Sequence, residues 1–173
     1  MANVDFPMGF IPYKKKGGVD ITHEVGKVLA TNAEIAIGDA IEWRSDGCLH
    51  IAQASSLTIE GVAVEHKAAN AGGTIQYVPA RDHLFIAQAD EADIAAQTNC
   101  GLNYNIVATV PSSGKSQMEV DSSTGATTKT LPVKVIGLYE GELGYATANA
   151  FGAQAKVIVQ FNETADSAGG TGA

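Results

Sequence analysis

The stretch that decides the fold runs from Ile41 to Ala52, IEWRSDGCLHIA. Ile41 and Trp43 fall on one side of an extended chain, with Glu42 and Arg44 on the other. A period of two marks a strand with one face in a core and one in water. Ser45-Asp46-Gly47 interrupts the alternation, and Leu49 and Ile51 resume its apolar face. Asp-Gly between alternating runs predicts a hairpin, because glycine accepts the positive φ the turn requires.

The same pattern recurs along the chain. Strands are predicted over Glu60 to Glu65, Thr74 to Val78, His83 to Ala89, Tyr104 to Val110, Gln117 to Val120 and Leu131 to Leu138. The clearest is Ala155 to Phe161, where Ala155, Val157, Val159 and Phe161 share one face and Lys156 and Gln160 take the other. Turn-forming runs lie between them: Asn70-Ala71-Gly72-Gly73, Ser112-Ser113-Gly114 and Ser122-Ser123-Thr124-Gly125. A short helix is expected over Asp90 to Gln97, capped by Asp90, and a second around Ala146 to Ala150. The whole reads as a mainly β chain, an antiparallel sandwich or small barrel with one or two short helices. Residues 26–89 read as one compact β unit. The expected division is an extended arm over 1–18, a single β-rich domain over 19–164, and a flexible tail over 165–173.

Composition narrows the function. A chain of 173 residues can bury a core without a disulfide or metal staple. Its net charge of −8 repels phosphate backbones, so nucleic acid is not an expected partner. The one basic run, Lys14-Lys15-Lys16, is short and reads as solvated. No window reaches the ~18 consecutive apolar residues of a membrane span, so no membrane partner is expected. Cys48 and Cys100 are far apart and read as buried free thiols, and the chain as made in the cytoplasm.

Templates for chemistry find little. Gly114-Lys115-Ser116 resembles the end of a phosphate loop, but Thr109 stands where that loop needs glycine. Ser112 and Lys115 satisfy Ser-x-x-Lys without its companion motifs. His23, His50, His66 and His83 are spread singly, with no paired spacing for a metal. No catalytic residue, cofactor or metal is expected, and the chain reads as a structural or interaction protein.

The opening MANVDFPMGFIPYKKKGG is apolar but too proline-broken for a helix. Phe6, Pro7, Phe10 and Pro12 read as anchors on an arm with Gly17-Gly18 as its hinge. Two destinations are open: a second chain, or the domain's own sheet as an ordinary terminal strand.

Five segments in order carry a resemblance: MANVDFPMGFIP; Gly38-Asp39-Ala40-Ile41 with Asp46-Gly47 and Gly61-Val62-Ala63; Asp82 to Asp90; Met118 to Thr124 leading into Val133 to Leu138; and Ala155 to Phe161 ending in Asn162-Glu163. In these the chain resembles the head decoration, or cement, proteins of tailed bacteriophages, over residues 2 to about 164. The Tyr13 to Gly18 run departs from that pattern. The resemblance implies a β-tulip-like knob without catalysis or cofactor, on the outer surface of the icosahedral capsid of a virion. There it would bridge neighbouring major capsid proteins and stabilise the shell, as a homotrimer in preference to a homodimer. Two other readings stand beside it. One is a tail or head-completion component; the other is a small β-barrel binding module or hydrolase using His50, His66 and His83.

Overall fold

In a computed structural model, which describes residues 3–18, 20–54, 56–91, 93–141 and 149–162, the Ile41 stretch forms the expected hairpin. Ile41 pairs with Ile51, Glu42 with His50 and Trp43 with Leu49. The loop is three residues long: Gly47 N donates to Arg44 O at 2.9 Å and Arg44 N to Cys48 O at 3.1 Å, with Gly47 at φ 70°. Asp46 Oδ1 accepts the Cys48 amide at 2.9 Å, so the turn residue caps its own reversal.

Eleven strands lie among the described residues: β1 (Ile11–Lys15), β2 (Glu24–Val28), β3 (Ala40–Trp43), β4 (Leu49–Ile51), β5 (Gly61–Ala63), β6 (Gly73–Pro79), β7 (His83–Gln88), β8 (Asn103–Val107), β9 (Glu119–Ala126), β10 (Val133–Leu138) and β11 (Lys156–Phe161). They form two antiparallel sheets, ordered β1-β7-β11-β10-β8-β9 and β2-β6-β5-β3-β4. The architecture is therefore mainly β, two open sheets packed as a sandwich rather than a closed barrel.

The main core lies between the sheets. Ala40, Val62 and Val78 enter it from the five-stranded sheet. Phe85, Val133, Val135, Val157, Val159 and Phe161 enter from the six-stranded one. A second core of Val28, Ile35, Ile41, Leu49, Ala63, Ile75 and Tyr77 fills the opposite face of the five-stranded sheet. Neighbouring residues thus point into different cores: Ala40 and Ile41, Val62 and Ala63, Val78 and Tyr77. Two buried faces explain why β5 is apolar throughout. β2 and β4, the two edges of this sheet, come close because Gly26 has no Cβ, and any Cβ there would overlap Leu49. The Tyr77 hydroxyl lies 3.0 Å from Glu24 Oε2 and from Glu60 Oε1, tying β2 to the approach of β5.

The structure corrects several expectations. Among the described residues Asp90 to Gln97 do not form the expected helix; a single 3-10 turn lies at Gln97–Asn99. Asp90 Oδ1 instead accepts Ser122 N at 2.9 Å and Ser122 Oγ at 2.8 Å, and Asp90 N donates to Val120 O at 3.1 Å. Eight residues make a marginal helix, and these bonds to β9 outrank it. Residues 122–125 do not reverse the chain but bulge within β9. Asp121 pairs with Asn105 and Ala126 with Asn103, so four residues stand against one. Residues 26–89 are split, because β7 joins the other sheet. Of the second helix, 146–148 lie outside the described residues, as does the tail over 165–173; Asn149 and Ala150 are not helical. Cys48 is buried, Cys100 partly exposed, and both are free.

Candidate interaction site at the N-terminal segment

Two parts of the N-terminal segment behave differently. Residues 10–16 belong to the body. β1 pairs with β7 as the edge of the six-stranded sheet, with Ile11 opposite Ile86 and Lys15 opposite His83. Phe10 is wholly buried, 5.1 Å from the Phe161 ring, which in turn lies 5.3 Å from Phe85. Burial of such a ring stabilises the fold by about 1.5–3 kcal/mol. Tyr13 meets Tyr139 edge-on at 5.6 Å.

Residues 3–9 lie across the surface and are fastened by polar bonds. Asn3 Nδ2 donates to Ala150 O and Ala153 O, each at 2.8 Å, and Asn3 Oδ1 accepts Ala150 N at 3.0 Å. Gln88 forms the hub. Its Oε1 accepts Phe6 N at 2.9 Å and Lys156 Nζ at 2.6 Å; its Nε2 donates to Asp5 Oδ1 at 2.8 Å and Glu119 Oε1 at 2.6 Å. All four bonding positions of the amide are used, which fixes its orientation. Lys156 Nζ also donates to Val4 O and to Gln154 O, so its three hydrogens have three acceptors.

Burial sets the electrostatics of this latch. Desolvation pulls the Lys156 ammonium below its ordinary pKa, opposed by the carboxylates of Asp5 and Glu119. Desolvation also pushes the Glu119 carboxyl up; the Gln88 bond opposes this, while Asp5 and Asp90 add to it. Each charge is kept by its partners, and removing one would strand the others.

Beyond the latch, Gly9 turns with φ 67° against the Gly38 carbonyl and Ser116, and Phe10 N donates to Gly38 O at 2.8 Å. Beneath lies Asp39, fully buried. Its Oδ2 accepts Ala36 N at 2.8 Å, while Oδ1 has no partner at bonding distance among the described residues. Burial pushes this carboxyl up to about 6, and the Ser116 hydroxyl and the Ala36 amide offset part of the shift.

The four expected anchors thus part company. Phe6 is 44% exposed beside Val4 at 43%, whereas Phe10 is closed to any second chain by its burial. Pro7 is half-buried, and Pro12 sits half-buried in β1 opposite Phe85. The register shifts between Pro12 and Lys14, and Lys14 is exposed on the outer edge. A proline, a bulge and lysines are devices that blunt an edge against further strand addition.

The histidines of the alternative site each have a separate partner. His50 Nε2 lies 2.7 Å from Asp46 Oδ2, and His66 Nε2 lies 3.0 Å from Glu34 Oε1. His83 is buried: its Nε2 accepts Thr22 N at 3.3 Å, so Nδ1 carries the proton toward Pro79 O at 2.9 Å. No three His, Cys, Asp or Glu side chains gather as metal ligands among the described residues. Ser112 and Lys115 close a two-residue turn, exchanging backbone bonds of 3.0 Å across Ser113 and Gly114.

Sequence reasoning missed Gln88, Lys156, Asp39 and Ser116. Lys156 opens an apolar strand on its polar face, and Gln88 lies near the end of another. Comparison with family models, curated proteins and solved structures finds no match for this chain.

Proposed function

We propose that this chain is a decoration protein of a tailed-bacteriophage head. It binds the outer surface of the icosahedral shell, bridges neighbouring major capsid proteins and acts as a homotrimer, without catalysis or cofactor. The order of the five resembling segments points to it, and the latched N-terminal segment is the observation that supports it best. Val4 and Phe6 keep 43% and 44% of their surface exposed while the backbone on either side is tied down. A contact held in place before binding loses less entropy on docking. Repetition over many symmetry-related copies then turns a weak contact into a firm one.

The test is binding to heads assembled without the protein. The natural protein is expected to co-sediment with them and to appear as knobs over the whole head by electron imaging. A Val4→Ser, Phe6→Ser variant is expected to stay folded and remain in the supernatant. Density confined to the tail, or binding unchanged in the variant, would overturn the reading. A truncation of residues 2–12 is unsuitable, since it removes buried Phe10 and two of the five residues of β1.

A further inference from the structure

We propose that Asp39 makes the seat of the N-terminal segment a pH-sensitive clasp: protonated, it lets residues 8 and 9 stay seated over Gly38 and Ser116, and ionised, it loosens them. The clasp concerns how the segment is seated and stands whatever the segment binds.

The geometry is unusual in one respect. A buried carboxylate oxygen normally has a partner, and Asp39 Oδ1 has none at bonding distance among the described residues. On one side Asp39 is built into the body: Asp39 N donates to Ala36 O at 3.1 Å and Asp39 O accepts Ala63 N at 2.9 Å. On the other side, Ser116 separates it from Gly9, and Gly38 next to it accepts Phe10 N at 2.8 Å. A charge held there is buried without a full set of donors. It can be relieved by taking up a proton or by admitting water. Breaking into the body would sacrifice β3, whereas lifting residues 8 and 9 breaks the Phe10 amide bond to Gly38 O and the Gly9 contact and leaves the Phe10 ring in the core. The segment is therefore the door.

Few charges compete. Glu34 is the charge that acts on Asp39, and it is held by His66 at 3.0 Å. From the neighbouring loop Lys115 is exposed, and from the segment Asp5 is engaged by Gln88. A carboxyl whose folded pKa is raised binds its proton more tightly when buried. Stability from it is fully present below the unfolded value of 3.8 and is lost as pH rises through about 6.

Amide exchange of Phe10, referenced to Val157 and Val159 in β11, reads the clasp in the intact protein. Between pH 7.5 and pH 4.5, protection at Phe10 is expected to rise roughly 30-fold after correction for intrinsic rates, if opening returns Asp39 to an ordinary carboxyl. In Asp39→Asn the rise is expected to fall below about 3-fold; in His66→Gln it should persist. A flat natural protein, or a rise that survives Asp39→Asn or vanishes in His66→Gln, overturns the proposal. Should Asp39→Asn not fold, the pH dependence of Phe10 exchange in the natural protein decides: protection rising with a midpoint near 6 supports the clasp, and a rise with a midpoint near 4 overturns it.

Discussion

Residues 3–9 and 10–16 are adjacent pieces of one apolar-looking segment, yet different physics holds each. The second is held as a core is held: Phe10 fills a gap between Phe161 and the sheets, and β1 adds a rung to β7. The first is held as an interface is held, by Gln88, Lys156 and Asn3 reaching for backbone and carboxylate atoms. Apolar burial is non-directional and hard to undo piecemeal. A polar latch is directional and sensitive to charge, so it can open while the body stays intact. The segment thus contains a plug and a strap.

The largest blow to the plug is Phe10→Ala, expected to cost about 3–5 kcal/mol in urea unfolding, as for other buried aromatics. A loss below about 1 kcal/mol would mean that Phe10 is not part of the core. Next comes the junction. Gly9→Ala places a Cβ against the Gly38 carbonyl at φ 67°, and a cost of about 1–3 kcal/mol is expected in the same assay. Against the strap, Lys156→Met removes the charge that sits among Gln88 Oε1, Val4 O and Gln154 O. It should cost about 1–3 kcal/mol, and exchange at the Phe6 amide should quicken more than exchange in β11. Equal acceleration everywhere would erase the distinction between plug and strap.

Acid should act on the two parts with opposite signs. His83, opposite Lys15 at the far end of β1, has its pKa lowered, first by burial, with the Lys15 and Arg81 charges adding to the shift. An unfolded chain takes that proton near 6.5 and the folded one resists it. Stability from His83 is therefore complete above that value and lost as pH falls below it, while Asp39 gains over the same range. A pH series of unfolding midpoints on His83→Gln should show less acid destabilisation than the natural protein. The smallest effect is expected for Phe6→Ser, about 1 kcal/mol or less on stability, since much of its ring is already in water.

The hairpin at Ser45-Asp46-Gly47 was legible because its cause is local. Alternation and one positive-φ glycine are written within a dozen residues, and so are the inward faces of Ala155 to Phe161. β2 was not legible, and β1 was legible only as one of two open destinations for the opening segment, a terminal strand on the domain's own sheet. Pro12 breaks the signal in β1, and in β2 Glu24, Gly26 and Lys27 hide the two buried positions. Ser122-Ser123-Thr124-Gly125 has turn chemistry, and Thr124 Oγ1 does bond Asp121 O at 2.7 Å. Whether that chemistry ends a strand or bulges it depended on β8 lying alongside. The site was less legible than the fold: Phe6 and Pro7 were flagged, but the groups that seat them come from β7, β9 and β11.

By itself, then, the sequence determined that this is an antiparallel β protein and where several of its strands turn, because periodicity and glycine act over a few residues. The tertiary structure decided which neighbours a polar residue would meet. Lys156 and Gln88 look like surface residues in one dimension and become a buried hub only when Val4, Phe6 and Glu119 converge on them. Desolvation and charge pairing depend on distance in space, and sequence order carries no record of it.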